Sequence, residues 1–395
     1  MGTLMTADLL DRVRDRLTRE PGEPTPAIVA AAIRAETGGV LGDTDLLAAL
    51  RMLQTELTGA GVLDPLLADP QIADILVTGP ADVWVDRGQG LRRAPVCFAD
   101  EAAVRRLAQR LALSAGRRLD DAQPWVDGRL SGPGAGLGES FGVRLHAVLA
   151  PIAHGGTCLS LRVLRPATQG LGALEAAGAM PAEAAQLLRR IVRARLAFLV
   201  VGGTGAGKTT LLSALLAAVS PTERIVCVED AAELAPPHPH VVRLVARTAN
   251  VEGAGEVTVR DLVRQALRMR PDRIVVGEVR GAEVVDLLTA LNTGHDGGAG
   301  TVHANSPQEV PARLEALAAL GGMDRSALHS QLAAAVQVVL HVHRRPDGAR
   351  GLREIGVVRR ENGGPVSIVA AWRADGAATP GATALAELLA TREES

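Results

Sequence analysis

The chain has 395 residues, of which 47% are hydrophobic and 22% charged, and its formal net charge is −2. This length and composition predict a globular protein with two domains and extensions, and they exclude a fibrous or largely disordered chain. Only three Phe, three Trp and no Tyr occur, which argues against aromatic platforms for single-stranded nucleic acid. The overall charge gives no basic footprint for DNA, so no nucleic-acid partner is expected.

The cysteine spacing and the hydropathy pattern indicate the cellular compartment of the protein. Cys97, Cys158 and Cys227 are far apart and form no CxxC pair, so neither a disulfide framework nor a zinc ribbon is expected, and a reducing compartment fits. No run approaches the roughly 18 apolar residues of a membrane span, and the N-terminus lacks the apolar core of a signal peptide. The sequence therefore predicts a cytoplasmic protein that reaches a membrane only through a partner.

The first part of the chain predicts a helical extension followed by an α+β domain. Residues 1–60 are rich in Ala, Leu and Arg and are broken by Pro and Gly, which favours a small helical N-terminal region. Residues 61–165 mix short apolar strands, a hairpin and an amphipathic helix. A Gly-rich loop at Ser131–Gly138 precedes two alternating strands, Val143–Leu149 and Cys158–Leu164.

The second part of the chain predicts a linker, an α/β domain and a tail. Residues 166–180 resemble a linker. Across 181–375, strand and helix patterns alternate, which predicts a mostly parallel sheet with helices on both faces. Residues 376–395 are rich in Ala, Gly and Thr and predict a flexible tail.

A phosphate-binding loop follows the first strand of the second domain. It fits G-x-x-x-x-G-K-[ST], with an apolar strand before it and a helix after it. Its glycines let backbone N–H groups point at phosphate oxygens, and the helix N-terminus adds its positive end. Lys208 is predicted to reach the β- and γ-phosphates, and the Thr209 hydroxyl to bind Mg²⁺. The predicted nucleotide-binding residues are Gly202, Gly203, Thr204, Gly205, Ala206, Gly207, Lys208, Thr209 and Thr210.

Two further strands end in carboxylates, at the edge where open α/β sheets bind ligands. Glu229 and Asp230 end the first, and are predicted to position Mg²⁺, directly or through water, or to polarise the attacking water; Glu233 is a candidate third member. The strand Arg273–Glu278 resembles a Walker B element with Gly277 where many relatives place Asp. Glu278 is then predicted to activate the water, and the metal task falls to Thr209 and the Glu229–Asp230 pair.

One histidine and several arginines complete the candidate set. His303 follows a Gly-rich turn at the end of a short strand, where it is predicted to sense the γ-phosphate. Arginines supplied in cis or in trans can offset phosphoryl charge in the transition state. The sequence does not decide between a catalytic and a surface role for the seven candidates, Arg144, Arg162, Arg165, Arg243, Arg247, Arg260 and Arg280.

These motifs together resemble the type II/type IV secretion ATPase superfamily, and most closely the CpaF-like ATPases of tight-adherence (Flp) pilus systems. Cys227–Leu234 resembles their Asp box, Arg268–Gly281 their atypical Walker B element and Gly300–Asn305 their His box. The stretch from Asn250 to Val263 is similar to that subfamily as well. The resemblance covers roughly residues 61–359 and is most specific from 200 to 314.

The resemblance implies a RecA-like ATPase domain, a PAS-like N-terminal domain and a homo-hexameric ring that uses ATP and Mg²⁺. It also implies that Arg144 and Arg162 reach the nucleotide from the N-terminal domain. Such motors drive pilus assembly or protein secretion at the cytoplasmic face of the inner membrane. They work peripherally, through polytopic membrane platform proteins, and act on pilins indirectly.

Three other functions stay open at this stage. A P-loop GTPase or small-molecule kinase is disfavoured because no N-K-x-D motif and no second substrate lid is evident. A nucleic-acid translocase of a conjugation-like machine is disfavoured by the lack of a basic stripe, although a ring pore can hide charge. A scaffold that binds ATP but barely hydrolyses it would carry the same P-loop.

Overall fold

The computed structural model describes residues 12–13, 16, 26–37, 59–88, 90–130, 142–165, 167–250, 253–345 and 347–393. The chain forms two compact units, Met1–Leu164 and Arg165–Ser395. Most of the predicted helical extension over residues 1–60 and the Gly-rich loop at residues 131–138 lie outside the described residues.

The first unit is built on an antiparallel sheet with the strand order β3-β2-β1-β6-β5-β4. Its strands are β1 Asp74–Gly79, β2 Asp82–Asp86, β3 Leu91–Arg93, β4 Trp125–Leu130, β5 Gly142–Val148 and β6 Cys158–Leu164. Its described helices are α1 Pro26–Glu36, α2 Asp64–Ala68 and α3 Glu101–Ser114, with a 3-10 turn at Gly61–Leu63.

One face of this sheet carries the core of the first unit. Alternate residues of β5, namely Val143, Leu145 and Ala147, are fully buried. They belong to the same core cluster as Leu107 and Leu111 of α3. The period of two places the intervening residues on the opposite face. That face therefore presents the polar side chains of β4, β5 and β6.

The second unit is built on a larger sheet with the order β14-β13-β12-β7-β11-β10-β8-β9. The strands from β12 to β9 in this order are parallel, and β13 and β14 add an antiparallel edge. Its strands are β7 Phe198–Val201, β8 Ile225–Glu229, β9 Val241–Val245, β10 Arg273–Val279, β11 Ala299–Val302, β12 Val338–Arg344, β13 Arg350–Arg360 and β14 Val366–Arg373.

Helices cover both faces of this sheet, as the strand–helix alternation predicts. The described helices are α4 Leu171–Ala176, α5 Ala182–Arg193, α6 Lys208–Leu216, α7 Val259–Ala266, α8 Glu283–Leu291, α9 Val310–Leu320, α10 Arg325–Ala335 and α11 Ala382–Glu393, with a 3-10 turn at Pro307–Glu309. Helices α4, α5, α6 and α11 share one core cluster with the sheet, and α7 to α10 share the other. The mixed α/β prediction is thus confirmed. β7 alternates between the two cores, with Phe198 and Val200 in one and Leu199 and Val201 in the other.

Two segments differ from their sequence predictions. Residues 166–180, predicted as a linker, contain α4, whose Leu171 and Leu174 are buried in the core. The prediction of a flexible tail over 376–395 is wrong for 382–393, which form α11 with Leu385 and Leu389 buried. Both helices contain alanines and few large apolar residues, so their composition resembles that of a linker although Leu171, Leu174, Leu385 and Leu389 are buried.

Among the helices of the described residues, none is both long and apolar enough to cross a membrane.

Candidate functional site

The P-loop lies between β7 and α6, near the middle of the eight-stranded sheet. Gly205 and Gly207 have φ values of 70° and 98°, which glycine adopts without steric cost. Gly202 approaches β12 so closely that a Cβ there would lie 2.3 Å from the Val342 carbonyl oxygen. These three glycines therefore allow the tight turn that a phosphate-binding loop requires.

Lys208, the first residue of α6, is buried with 8% of its surface exposed. Its Nζ donates to the carbonyl oxygens of Gly202 and Gly203, each at 3.1 Å, and lies 3.1 Å from Nδ1 of His303. Burial lowers the pKa of Lys208, and the nearby Glu278 opposes that shift. The amine therefore points into the loop, where phosphate oxygens would be its natural acceptors.

Glu278 and His303 lie in one cluster with Lys208. Nε2 of His303 lies 2.6 Å from Oε1 of Glu278. Burial acts to raise the pKa of Glu278, but a hydrogen bond from Arg280 and the positive charges of Arg280 and Lys208 hold it below its ordinary value. Burial and the charge of Lys208 lower the pKa of His303. An ionised Glu278 beside a neutral His303 is the expected arrangement near pH 7.

Arg280 joins the ends of two neighbouring strands. Its Nη1 donates to Oδ2 of Asp230 at 2.8 Å and its Nη2 donates to Oε2 of Glu278 at 2.5 Å. Asp230 directly follows β8, and Glu278 lies near the end of β10, which pairs with β8 in parallel. The predicted magnesium ligand Asp230 is thus engaged by an arginine in this structure.

Glu229 also differs from its predicted place as a magnesium ligand. It is 2% exposed, and its Oε1 accepts the backbone N–H groups of Glu233 and Leu234 at 2.9 and 2.8 Å. Burial raises its pKa to about 7. The side chain therefore holds the turn after β8 instead of reaching toward Thr209.

The absence of a side chain at Gly277 leaves room for the inward-turned side chain of Glu229. A Cβ at Gly277 would lie 2.8 Å from Cγ of Glu229. Because the two strands are adjacent, the buried glutamate takes the space that a Walker B aspartate would need. Packing therefore requires glycine here, a reason that the sequence pattern did not reveal.

Glu233 is the carboxylate that meets Thr209. The Thr209 hydroxyl donates to Oε2 of Glu233 at 3.3 Å, while Thr210 follows in α6. Oε1 of the buried Glu229 accepts the backbone N–H of Glu233. Glu229 therefore holds the backbone from which the more accessible side chain of Glu233 extends. The sequence pattern indicates Glu233 only as a candidate third member, and its spacing of four residues from Glu229 is the signal that points to it.

Beside this cluster lies a cavity of about 420 Å³. Its wall includes Asp230, Glu278 and Arg280, together with the first residues of α7 and α8. Glu278 therefore faces both the P-loop cluster and an open space large enough for several water molecules.

Arg144 and Arg162 belong to the first unit, and the structure describes them there. They are cross-strand partners on β5 and β6. Arg144 forms an ion pair with Asp127 at 2.9 Å and Arg162 with Asp74 at 2.8 Å, and their side chains are 43% and 52% exposed. Their predicted contact with nucleotide stays a prediction.

The residues of the second unit fit a magnesium nucleotide. Two buried carboxylate oxygens, Oε2 of Glu229 and Oε1 of Glu278, accept no hydrogen bond of good geometry from the described residues, although Nε2 of His303 lies 2.6 Å from the latter. A buried lysine held by backbone carbonyls and a histidine, next to a threonine–carboxylate pair, is a donor set suited to phosphate and Mg²⁺. The geometry thus supports a phosphate site with a hard-cation position at Thr209 and Glu233.

The chain is similar to proteins of secretion and conjugal-transfer systems. A family model described as "Type II/IV secretion system protein" matches residues 56–394. The chain is 72% identical over 353 residues to the Mycobacterium tuberculosis protein named "Putative conjugal transfer protein Rv3659c", covering 89% of this chain and 99% of that protein. It is 33% identical over 275 residues to the type IV secretion system protein PtlH of Bordetella pertussis, covering 64% of this chain and 78% of that protein.

A solved structure supports the fold. The Legionella pneumophila ATPase DotB has a TM-score of 0.53 and 19% identity, over 74% of this chain and 78% of that one. The family match spans both units and includes the P-loop, Glu278 and His303, whose side chains the structure brings together. The chain therefore belongs to the type II/IV secretion system protein family.

Proposed function

We propose that this protein hydrolyses ATP and works as the motor of a secretion or pilus-assembly machine. The observation that carries the proposal is the convergence of Lys208, Glu278 and His303 at the end of the parallel sheet. Lys208 lies 3.1 Å from Nδ1 of His303, whose Nε2 lies 2.6 Å from Glu278. A P-loop alone binds phosphate. A charged carboxylate beside it adds a group able to act on water.

The proposed chemistry is attack of water on the γ-phosphate of ATP, which breaks the bond between the γ-phosphorus and the bridging oxygen and releases ADP and phosphate. Lys208 and the N-terminus of α6 bind and orient the phosphates, and Thr209 and Glu233 would hold Mg²⁺, which neutralises the phosphate charge. Glu278, held ionised by Arg280 and Lys208, orients the water and accepts its proton. His303 lies between Lys208 and Glu278. A movement of Lys208 when phosphate binds would therefore be transmitted through His303 to Glu278.

The motor role is proposed from family membership. The members compared include proteins whose names refer to type IV secretion and to conjugal transfer. We propose a homo-hexamer with a RecA-like second unit and a PAS-like first unit, bound peripherally at the cytoplasmic face of the inner membrane. Polytopic platform proteins would be its partners. Pilus assembly of the CpaF-like type is the specific role we favour.

Steady-state phosphate release from ATP by the purified chain tests the enzymatic part. We expect turnover in the wild type and a loss of at least about 100-fold in both Lys208→Ala and Glu278→Gln, because each removes a group that acts on the phosphates or the water. Arg264→Gln is a matched control, since Arg264 pairs with Asp286 at 2.9 Å and is 53% exposed. Full activity in Glu278→Gln would contradict the proposed mechanism.

Comparison of substrates separates the alternatives. Faster turnover of GTP than of ATP would favour a GTPase. One turnover or none, with tight ATP binding, would favour a nucleotide-gated scaffold. Stimulation of turnover by added DNA would favour a conjugal translocase, a role that the name of the mycobacterial relative raises.

A further inference from the structure

Arg280 occupies an unusual position between two carboxylates that the sequence assigns to different motifs. Its guanidinium bridges Asp230 after β8 and Glu278 on β10, at 2.8 and 2.5 Å. The planar fork of arginine holds two acceptors in fixed directions, which a lysine ammonium does not. Arg280 therefore couples the geometry of the two strand ends.

The backbone that carries Arg280 is itself anchored. Oε1 of Glu283, the first residue of α8, accepts the N–H groups of Arg280 and Gly281 at 2.5 and 2.8 Å. The turn between β10 and α8 is thereby fixed, so the side chain of Arg280 starts from a defined position. Its reach to Glu278 does not depend on a mobile loop.

The bridge divides the two oxygens of Glu278. Oε2 is bound by Arg280. Oε1 is buried and lies 2.6 Å from Nε2 of His303, yet it accepts no hydrogen bond of good geometry from the described residues. One oxygen is thus fixed by an arginine, and the other is directed toward the cluster that contains Lys208. A carboxylate that orients a water needs this kind of fixed rotamer.

Folding stability gives little reason for the Arg280–Asp230 half of the bridge. The side chains of Arg280 and Asp230 are 47% and 37% exposed, and ion pairs at such exposure contribute little to folding. The bridge also lines the cavity beside Glu278, so it borders the open space that this carboxylate faces. Its placement is better explained by the orientation of Glu278.

We propose that Arg280 is a positioning residue for Glu278, and that Asp230 serves as the anchor of Arg280. This inference rests on the proposed ATPase function. It gives Asp230 a task different from that of a magnesium ligand, and it makes the Asp box and the Walker B strand act as one unit through a single guanidinium.

The test uses the full-length chain and measures kcat and KM for ATP together with the affinity for a fluorescent ADP analogue. In Arg280→Gln we expect kcat to fall about 10- to 100-fold while KM and ADP affinity stay within about twofold, because only the orientation of Glu278 is lost. Arg280→Lys keeps the charge without the fork, and should recover only part of the activity.

Asp230→Asn removes the anchor and provides a second, independent variant. We expect a fall in kcat of about three- to tenfold, again with unchanged ADP affinity. The double variant Arg280→Gln, Asp230→Asn should match Arg280→Gln within about twofold, since Asp230 acts through Arg280. Multiplicative losses in the double variant would overturn the inference, and so would weakened ADP binding in Arg280→Gln.

Arg264, which lies outside the bridge, provides the control variant. Arg264→Gln should leave kcat unchanged, and an equal loss there would overturn the specific role of Arg280. Suppose that the wild type is active, Glu278→Gln is inactive and Arg280→Gln has the same kcat as the wild type. This result would overturn the positioning role of Arg280 and leave the ATPase proposal intact. Absence of turnover in the wild type would instead remove the proposed function and this inference with it.

Discussion

Gly277 shows how a single missing side chain shapes the site. A Cβ at this position would lie 2.8 Å from Cγ and 3.5 Å from Cβ of Glu229. We expect Gly277→Ala to lower the free energy of unfolding by about 1–3 kcal/mol, because the buried glutamate must shift to admit a methyl group. Urea denaturation of the wild type and the variant measures the difference.

Gly172 provides the matched control for that substitution. It is exposed within α4, where a Cβ would meet no atom within 4 Å, and its backbone does not require a positive φ. Gly172→Ala should leave stability unchanged or raise it by up to about 1 kcal/mol, because alanine favours a helix. Equal stability of Gly277→Ala and the wild type would contradict the packing explanation.

Glu229 predicts a pH dependence of stability. Burial raises its pKa in the folded chain to about 7, from 4.5 for an ordinary glutamate. The folded state thus binds the proton more tightly than the unfolded state. The stability that this group contributes is fully present below pH 4.5 and is lost as the pH rises through about 7.

Glu229→Gln tests this sign. The variant keeps a carbonyl oxygen for the backbone N–H groups of Glu233 and Leu234 but does not titrate. Each unit of pKa difference corresponds to about 1.4 kcal/mol. We therefore expect nucleotide-free wild type to lose stability relative to Glu229→Gln between about pH 5 and pH 8 by about 1–3 kcal/mol. Parallel stability curves for the two proteins across this range would refute the expectation.

At the scale of elements, α11 is the segment that differs most from its sequence prediction. Leu389 is 0% exposed and packs in the same core cluster as α5 and α6. We expect Leu389→Ala to lower the free energy of unfolding by about 2–5 kcal/mol, as for other buried leucines. A loss below about 0.5 kcal/mol would mean that the segment behaves as the predicted tail.

A surface contact on the same helix provides the comparison. Glu393 accepts two hydrogen bonds from Arg190 at 2.9 Å, and the side chains of Arg190 and Glu393 are 40% and 42% exposed. Glu393→Gln should leave stability close to that of the wild type, because an exposed ion pair contributes little to folding. Thermal unfolding of the two variants side by side separates the effect of core packing from that of charge.

At the scale of the whole molecule, the proposed hexamer predicts a defined mass. One chain has a mass of 40.9 kDa, so a ring of six subunits has a mass six times as large. We expect mass photometry or light scattering to show this assembly in the presence of ATP and Mg²⁺ with Glu278→Gln, which would bind ATP without turning it over. A monomer under all conditions would refute the hexamer.

Several features followed from the sequence alone, because they depend on local pattern. The spacing of Gly202, Gly207 and Lys208 between an apolar run and a helix predicts the P-loop, and alternating strand and helix patterns predict the layered sheet of the second unit. Glu278 and His303 were also predicted in this way. Each lies at the end of a short apolar strand, and parallel strands bring such ends to one edge of the sheet.

The tertiary structure alone decided what each of the three carboxylates after β8 contacts. Glu229, Asp230 and Glu233 lie within five residues, and a sequence pattern does not tell which side chain turns inward. Packing against Gly277 buries Glu229, the bridge from Arg280 engages Asp230, and Glu233 reaches Thr209. These choices depend on neighbouring strands that are far apart in the chain, and only the fold brings them together.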